Sequence, residues 1–168
     1  MMIDATIERR NSRLLVMILG LVIGSAAQAA DRGTTTGIAA FHAKGSITEH
    51  QPGVVVWAGQ FIGASMTNGG KGLLHNAGWE CSGETTIHEG KVYRSGGFCV
   101  VTDPEGDSVN LVWEQTHVPA PAGEAKTKGT YLSGTGKYAG IQGYYTLLCH
   151  LSGAMASCEI TSGEYRLP

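Results

Sequence analysis

The fold of this chain is decided near its C-terminus, by the stretch Gly134-Thr135-Gly136-Lys137-Tyr138-Ala139-Gly140-Ile141-Gln142-Gly143-Tyr144-Tyr145. Glycine adopts positive φ at no steric cost, so the stretch predicts a tight turn that leads into a strand. A hairpin is expected directly after it, over residues 146–164, and it contains two cysteines. We expect the rest of the mature chain to wrap into one sheet around this unit.

The same stretch has a superficial likeness to a phosphate-binding loop at Gly134 to Lys137. The Walker pattern requires a glycine five residues before Gly136, where this chain has Tyr131. It also requires Ser or Thr after the lysine, where this chain has Tyr138. The pattern therefore indicates a β-turn rather than a nucleotide site.

Residues 1–29 have the pattern of a secretory signal peptide. Arg9, Arg10 and Arg13 precede an apolar run over residues 14–24, and Ala27-Gln28-Ala29 is a small-x-small cleavage site. The mature chain is then expected to begin at Ala30 and to be exported, to the periplasm or the extracellular space. The apolar run is too short for a bilayer core of about 30 Å, which predicts no stable membrane span after cleavage. An uncleaved anchor is the alternative.

Beyond the leader the chain is mildly acidic. It keeps 9 of the 12 basic and 12 of the 14 acidic residues, a net charge of -3. Without a basic run to follow a phosphate backbone, nucleic acid is not an expected partner. We expect a linker over residues 30–36 and a single domain over residues 37–168.

Glycine indicates an all-β domain, because 23 of the 25 glycines follow the leader and interrupt every long run that a helix would need. Between these breaks the residues alternate with period two, which is typical of half-buried strands. The predicted strands are 38–43, 54–62, 73–81, 92–102, 107–118, 130–132, 141–151 and 156–165. Eight antiparallel strands that close leave no exposed edge, so we predict an eight-stranded antiparallel β-barrel after a signal peptide helix. A two-sheet β-sandwich is the alternative.

Four cysteines in an exported chain predict two disulfides. Gly153 suits the first position of a two-residue type II′ turn, which sets Cys149 opposite Cys158 on a non-hydrogen-bonded pair. Cys81 and Cys99 then pair across neighbouring strands. Their register is one residue out of step with a two-residue turn at Glu89-Gly90, so a bulge or a longer loop is required.

Candidate ligand-binding residues are the aromatic and histidine side chains expected to project into the barrel: Trp57, Phe61, His75, Trp79 and Trp113. His75 is expected to share a strand face with Trp79. The six histidines lack metal-ligand spacing, and the acidic turn at residues 103–107 lacks the spacing of a calcium loop, so no metal is predicted. No catalytic residue and no cofactor are predicted.

Residues 134–143 resemble the glycine-rich turn of allene oxide cyclases and dirigent proteins. Residues 57–59, 70–75 and 102–107 are similar to an uncharacterised bacterial group described as allene-oxide-cyclase-barrel-like. The resemblance implies an eight-stranded antiparallel barrel that is often oligomeric, and a homo-oligomer is accordingly a possible state. No catalytic residue of either family matches a position of this chain.

Three functions are compatible with these observations. The first is an exported barrel that binds a small apolar molecule in its interior. The second is a cofactor-free cyclase or isomerase in which a buried polar group guides a reactive intermediate. The third is a barrel with a filled core that acts in surface interactions. A cavity in the barrel separates the first two from the third.

Overall fold

The computed structural model describes residues 31–116 and 123–168, and the predicted leader and the mature N-terminus at Ala30 lie outside them. The described chain is built of strands joined by short connections, with one turn of 3-10 helix. In chain order the elements are β1 (Arg32–Thr34), β2 (Gly37–Gln51), β3 (Val54–Thr67), β4 (Ala77–His88), β5 (Lys91–Thr102), β6 (Ser108–Gln115), β7 (Glu124–Gly134), the 3-10 helix (Gly136–Tyr138), β8 (Gln142–Ser152) and β9 (Met155–Arg166).

Strands β2 to β9 form a closed antiparallel barrel in sequence order. Closure comes from β9, which pairs with β8 along one side and with residues 37–42 of β2 along the other. This confirms the predicted all-β barrel and rejects the sandwich. The short strand β1 lies in the stretch expected to be a linker and pairs with residues 164–166 of β9.

Several predicted strand boundaries were wrong. Strands β2, β3 and β4 continue well past their predicted ends at residues 43, 62 and 81, and two strands begin elsewhere than expected. Strand β4 begins at Ala77, and the residues before it form a turn in which Leu74 and Asn76 have φ of 68° and 50°. His75 lies in that turn, so the expectation that it shares a strand face with Trp79 was also wrong. Strand β7 begins at Glu124, six residues before the expected start, because its alternation continues through residues 124–129.

Both disulfides pair as predicted. Cys149 and Cys158 are direct partners on β8 and β9, and their Cα atoms lie 4.0 Å apart. Gly153 has a φ of 58° in the two-residue turn between these strands. The Cys81–Cys99 bridge joins β4 to β5, and the required bulge lies at Tyr93, between the partners of Thr86 and Ile87.

One end of the barrel is sealed by the loops that join β3 to β4 and β7 to β8. These loops insert Leu73, Leu74 and Ile141, each at most 4% exposed, under the barrel. Ser65 connects them to the core: its hydroxyl donates to the carbonyl oxygen of Leu74 at 2.6 Å and accepts from the Trp79 indole N–H at 2.8 Å. These buried polar groups are therefore satisfied within the closed end.

A buried carboxylate fastens the loops of the closed end to one another. Oδ1 of Asp103 accepts hydrogen bonds from the backbone N–H groups of Glu105 at 2.9 Å and Asp107 at 3.1 Å. Its Oδ2 accepts from the Tyr138 hydroxyl at 3.0 Å and pairs with Nζ of Lys137 at 2.5 Å. The glycine-rich turn at residues 134–140 thus serves as an anchor for the 103–107 turn, which is a structural role.

On the inner wall, aromatic rings lie over glycines of the same strand, of the adjacent strand or, for Trp113 over Gly83, of the next strand but one. A Cβ at any of these glycines would fall within contact of the ring, and for Gly83 it would lie 2.5 Å from Cζ2 of Trp113. The space that glycine leaves on the inner wall is therefore filled by the aromatic side chain of a neighbour. The pairs are Phe41 over Gly63, Trp57 over Gly45 and Gly59, Trp113 over Gly83, and Tyr145 over Gly129.

Among residues 31–116 and 123–168, nothing covers the opposite end of the barrel, which is open and uneven in height. At this end, strands β2 to β5 extend further than the other strands. The extension begins where β2 is no longer paired with β9 and where β5 is no longer paired with β6. This four-stranded extension, which we name the lip, consists of residues 43–51, 54–61, 82–88 and 91–95. Its inner face continues the inner wall of the barrel and contains Ile47 and Trp57, which are Cα partners.

Replacing Gly83 with Ala should destabilise the protein by about 1–3 kcal/mol, because the new methyl group overlaps the Trp113 ring and the backbone oxygen of Gly96. The measurement is urea unfolding followed by tryptophan fluorescence. Gly78→Ala, in the same strand, is the matched control, since its Cβ would meet no atom nearer than 3.9 Å. The control should be neutral or stabilising by up to about 1 kcal/mol. Equal effects of the two changes would contradict the ring-on-glycine packing.

Asp103→Asn should cost about 1.5–3 kcal/mol at neutral pH, because it removes hydrogen bonds to a charged group. Burial alone would raise the pKa of Asp103, but the hydrogen bonds from Lys137, Tyr138 and two backbone N–H groups hold it below its ordinary value. The stabilisation is complete above the unfolded pKa of about 3.9 and is lost as the pH falls through the lower folded pKa. The wild type should therefore lose stability in acid more steeply than the variant.

Urea unfolding at neutral and acid pH measures both effects. Glu105→Gln is the control, because Glu105 also contacts Lys137 but its side chain is 74% exposed. An exposed ion pair contributes less than about 1 kcal/mol, so this variant should be nearly neutral. If Asp103→Asn costs no more than Glu105→Gln, or leaves the acid slope unchanged, the anchoring role of Asp103 is wrong.

Candidate ligand-binding site

A cavity of about 170 Å³ occupies the barrel between its middle and its open end. Its wall is contributed by residues of all eight barrel strands, and most of these residues are aromatic, aliphatic or cystine. The lining residues with the largest apolar surfaces are Phe41, Phe61, Trp79, Trp113, Tyr145 and Leu147. The cavity follows from the open end, because the loops that fill the barrel lie at the other end.

The floor of the cavity is a set of rings held edge to face. Trp79 is 1% exposed, and its ring meets Phe41 at 5.6 Å and Tyr145 at 5.4 Å between centroids, both nearly perpendicular. Higher in the wall, Phe61 and Trp113 meet in the same way at 5.6 Å. Edge-to-face pairs contribute roughly 0.5–1.5 kcal/mol beyond their burial, so these contacts favour the observed packing of the rings.

Both disulfides form part of the wall. Cys81 and Cys99 line the cavity from β4 and β5, and Cys149 and Cys158 line it from β8 and β9. Each bridge joins neighbouring strands, so the wall is cross-linked on two sides of the cavity. Cystine sulfur presents an apolar, polarisable surface to whatever enters.

The polar groups of the site are concentrated at the rim. The hydroxyls of Thr85 and Ser95 form a hydrogen bond of 2.7 Å with each other. Gln115, Glu124 and Thr127 line the other side, and Glu124 is exposed. The arrangement is an apolar cup with a polar opening, which is typical of sites for small organic molecules.

Of the five predicted ligand-binding residues, the structure places Phe61, Trp79 and Trp113 in the cavity wall. Trp57 lies on the lip instead, where its ring packs against Phe61 at 5.0 Å between centroids. His75 lies at the closed end, with Nδ1 3.1 Å from Oγ1 of Thr67 and 3.3 Å from the Thr67 backbone N–H. Its ring therefore ties a loop to β3 and does not line the cavity.

Several lining residues were missed by sequence reasoning. Phe41, Tyr145 and Leu147 occupy alternating, inward positions of strands that were predicted, so the period-two pattern contained the signal. The cysteines were predicted as pairs, and the alternation placed Cys81 on the strand face of Trp79, but none of the four was predicted to line a cavity. Thr85 and Ser95 lie on strand segments of the lip that were read in part as connections.

The chemistry of the site follows from this lining. Burial raises the pKa of Tyr145 well above its ordinary value, so its hydroxyl stays protonated at neutral pH. Within residues 31–116 and 123–168, no group of three or more His, Cys, Asp or Glu side chains is arranged to hold a metal ion. The same residues contain no helix that is long and apolar enough to cross a membrane. The wall offers recognition mainly by shape and apolar contact. Hydroxyls nearer the opening and the buried indole N–H of Trp113, which has no hydrogen-bond partner among the described residues, offer polar contacts.

Comparison with known proteins finds a likeness to solved structures. No protein-family model matches the chain. The curated proteins contain no match either. Among solved structures, the chain is similar to a pterocarpan synthase dirigent protein, with 14% sequence identity and a TM-score of 0.49. The alignment covers 97% of this chain and 99% of that one.

Proposed function

We propose that the protein is exported and that it binds a small, largely apolar molecule inside the barrel. The observation that carries this proposal is the cavity of about 170 Å³, with its apolar wall, aromatic floor and polar rim. An apolar cavity of about 150 Å³ in a protein stays dry and binds benzene. A molecule with the bulk of about one substituted ring therefore matches the available space.

The location of the polar groups supports binding rather than acid–base catalysis. The carboxylate that lines the cavity, Glu124, is at the rim and exposed, where water screens it. Deeper in, the wall consists of rings, leucine and cystine, which attract apolar ligands without reacting with them. The rim can hydrogen-bond one polar substituent of the ligand through Thr85, Ser95 or Thr127.

The resemblance of residues 134–143 to the glycine-rich turn of allene oxide cyclases and dirigent proteins suggests a family for the chain. We propose that the chain is an allene-oxide-cyclase-barrel-like or dirigent-like exported protein. The support is the glycine-rich turn and the closed eight-stranded barrel in which that turn anchors the sealed end. Binding by the cavity does not depend on this placement.

Benzene and toluene should raise the thermal midpoint of the disulfide-intact protein. At ten times the dissociation constant, a ligand that binds only the folded state stabilises it by about 1.4 kcal/mol, which is a shift of several degrees. Leu147→Trp should abolish this shift by filling the cavity, since Leu147 is 5% exposed and part of the wall. Leu148→Trp is the matched control, because it places the same ring on the opposite face of β8.

Ala156→Leu is a milder second variant that narrows the same cavity and should weaken binding if Leu147→Trp does not fold. The proposal fails if neither compound shifts the midpoint of the wild type. It also fails if both compounds stabilise folded Leu147→Trp as strongly as Leu148→Trp. Native mass spectrometry of protein from its own host then identifies the ligand that is retained.

Export has its own test. N-terminal sequencing of the protein recovered from the producing cells should start at Ala30, with both disulfides formed, because small residues at 27 and 29 favour cleavage after Ala29. A mature protein that retains Arg9 and Arg10 and stays in the cytoplasmic fraction would rule out export and leave the cavity proposal untouched.

A further inference from the structure

The lip leaves one edge of β2 unpaired. Residues 37–42 of β2 pair with β9, and the backbone N–H of Ala43 donates to the carbonyl oxygen of Ala154 at 2.7 Å. From there to Gln51, no strand among the described residues pairs with this edge, although β3 continues on the other side. A row of unpaired backbone groups is a template for another strand.

The hydrogen bonds that β2 makes with β3 and β9 fix the direction in which its free backbone groups point. Ala43 points its N–H toward β9, and in an antiparallel strand every second residue points to the same side. The register with β3 is regular as far as Glu49. The N–H and C=O groups of Gly45, Ile47 and Glu49 therefore point outward, whereas those of the residues between them bond to β3.

The other edge of the lip is protected against pairing. Strand β5 begins to pair with β6 only at Gly96. Residues 91–95 of β5 form the edge before that point, and they contain a bulge at Tyr93 and the charged side chains of Lys91 and Arg94. Bulges and cationic side chains are the usual means of blocking an edge. The edge of β2 has a single lysine, Lys44, and no irregularity before the bulge that follows Glu49.

We propose that residues 45–49 of β2 pair with the same residues of a second copy of this chain, antiparallel and about a two-fold axis at Ile47. This register sets Gly45 opposite Glu49 of the second copy and Ile47 opposite itself. All three outward residues of each copy are then fully paired, which forms six backbone hydrogen bonds. Moving the two-fold axis by one residue in either direction loses backbone hydrogen bonds. The shifted registers require Ala43, whose N–H already bonds to Ala154, or residues beyond the bulge.

The side chains favour the same arrangement. Ile47 is 68% exposed on the inner face of the lip, next to the Trp57 ring that covers Gly45 and Gly59. Two-fold pairing sets the two Ile47 side chains together and joins the inner faces of both lips into one apolar surface. Residues 44–51 contain one lysine and one glutamate, so the paired segments do not repel each other. A two-fold contact of this kind closes on itself and ends at a dimer.

Sedimentation velocity of the processed, disulfide-intact protein tests the proposal, over roughly 1 to 100 µM, since interfaces of a single strand pair are small and weak. A dimer should form and Ile47→Lys should weaken it at least tenfold. Ile38→Lys is the matched control: it changes an isoleucine of the same strand that is 61% exposed on the outside of the barrel. This control should leave the dimer unchanged.

Cysteine cross-linking tests the register. Cα atoms of a hydrogen-bonded antiparallel pair are about 5.5 Å apart, within reach of a disulfide, so Ile47→Cys should give a covalent dimer. Thr48→Cys should not, because Thr48 faces Ser46 of the second copy on the opposite face of the sheet. The proposal is overturned by a monomer at every concentration, by a dimer that Ile38→Lys disrupts and Ile47→Lys does not, or by cross-linking at residue 48 instead of 47.

Discussion

The contact between aromatic rings and glycines of the inner wall is the constraint on which this barrel depends. Trp113 and Tyr145 can point inward only because Gly83 and Gly129 present no side chain beneath them. A large ring that lies flat on the wall leaves the centre of the barrel free, whereas a ring that projects radially would fill it. The glycine content of the chain therefore does more than form turns: it sets the thickness of the wall and the volume that remains inside.

The two ends of the barrel differ because their loops differ in what they insert. At the sealed end, Asp103 receives four donors, and Tyr138, whose pKa burial and this hydrogen bond raise to about 12, is one of them. Leucines fill the space beneath. At the open end the three fully described hairpins turn at residues 52–53, 89–90 and 153–154 and have nothing to insert, and β2 to β5 rise into the lip. The cavity and the free edge of β2 are both consequences of this asymmetry.

The parts of the fold that depend on local chemistry could be predicted from the sequence. The Cys149–Cys158 bridge follows from the turn at Gly153, and counting residues between Cys81 and Cys99 shows that a bulge or a longer loop is needed, which the structure supplies as a bulge at Tyr93. The turn containing His75 could not, because positive φ at Leu74 and Asn76 is imposed by tertiary packing. The lip could not be predicted either, because the predicted strand ends at residue 43 and Lys44, Gly45 and Ser46 are typical of a connection. Only the structure shows that Gly45 lies beneath the Trp57 ring.

The disulfides help to explain how a barrel of this size stays folded with a cavity in its interior. At roughly 24 cal/mol per Å³, a closed cavity of about 170 Å³ costs about 4 kcal/mol in lost packing, which is an upper bound for this open cup. Loop closures of 18 and 9 residues restrict the unfolded chain by about 3 and 2.6 kcal/mol in the chain-entropy model. The two quantities are of similar size. The bridges also lie in the wall of the cavity, where contacts across the barrel are missing. The cross-links raise the free energy of the unfolded state. This offsets the packing energy that the folded state lacks because its core is not filled.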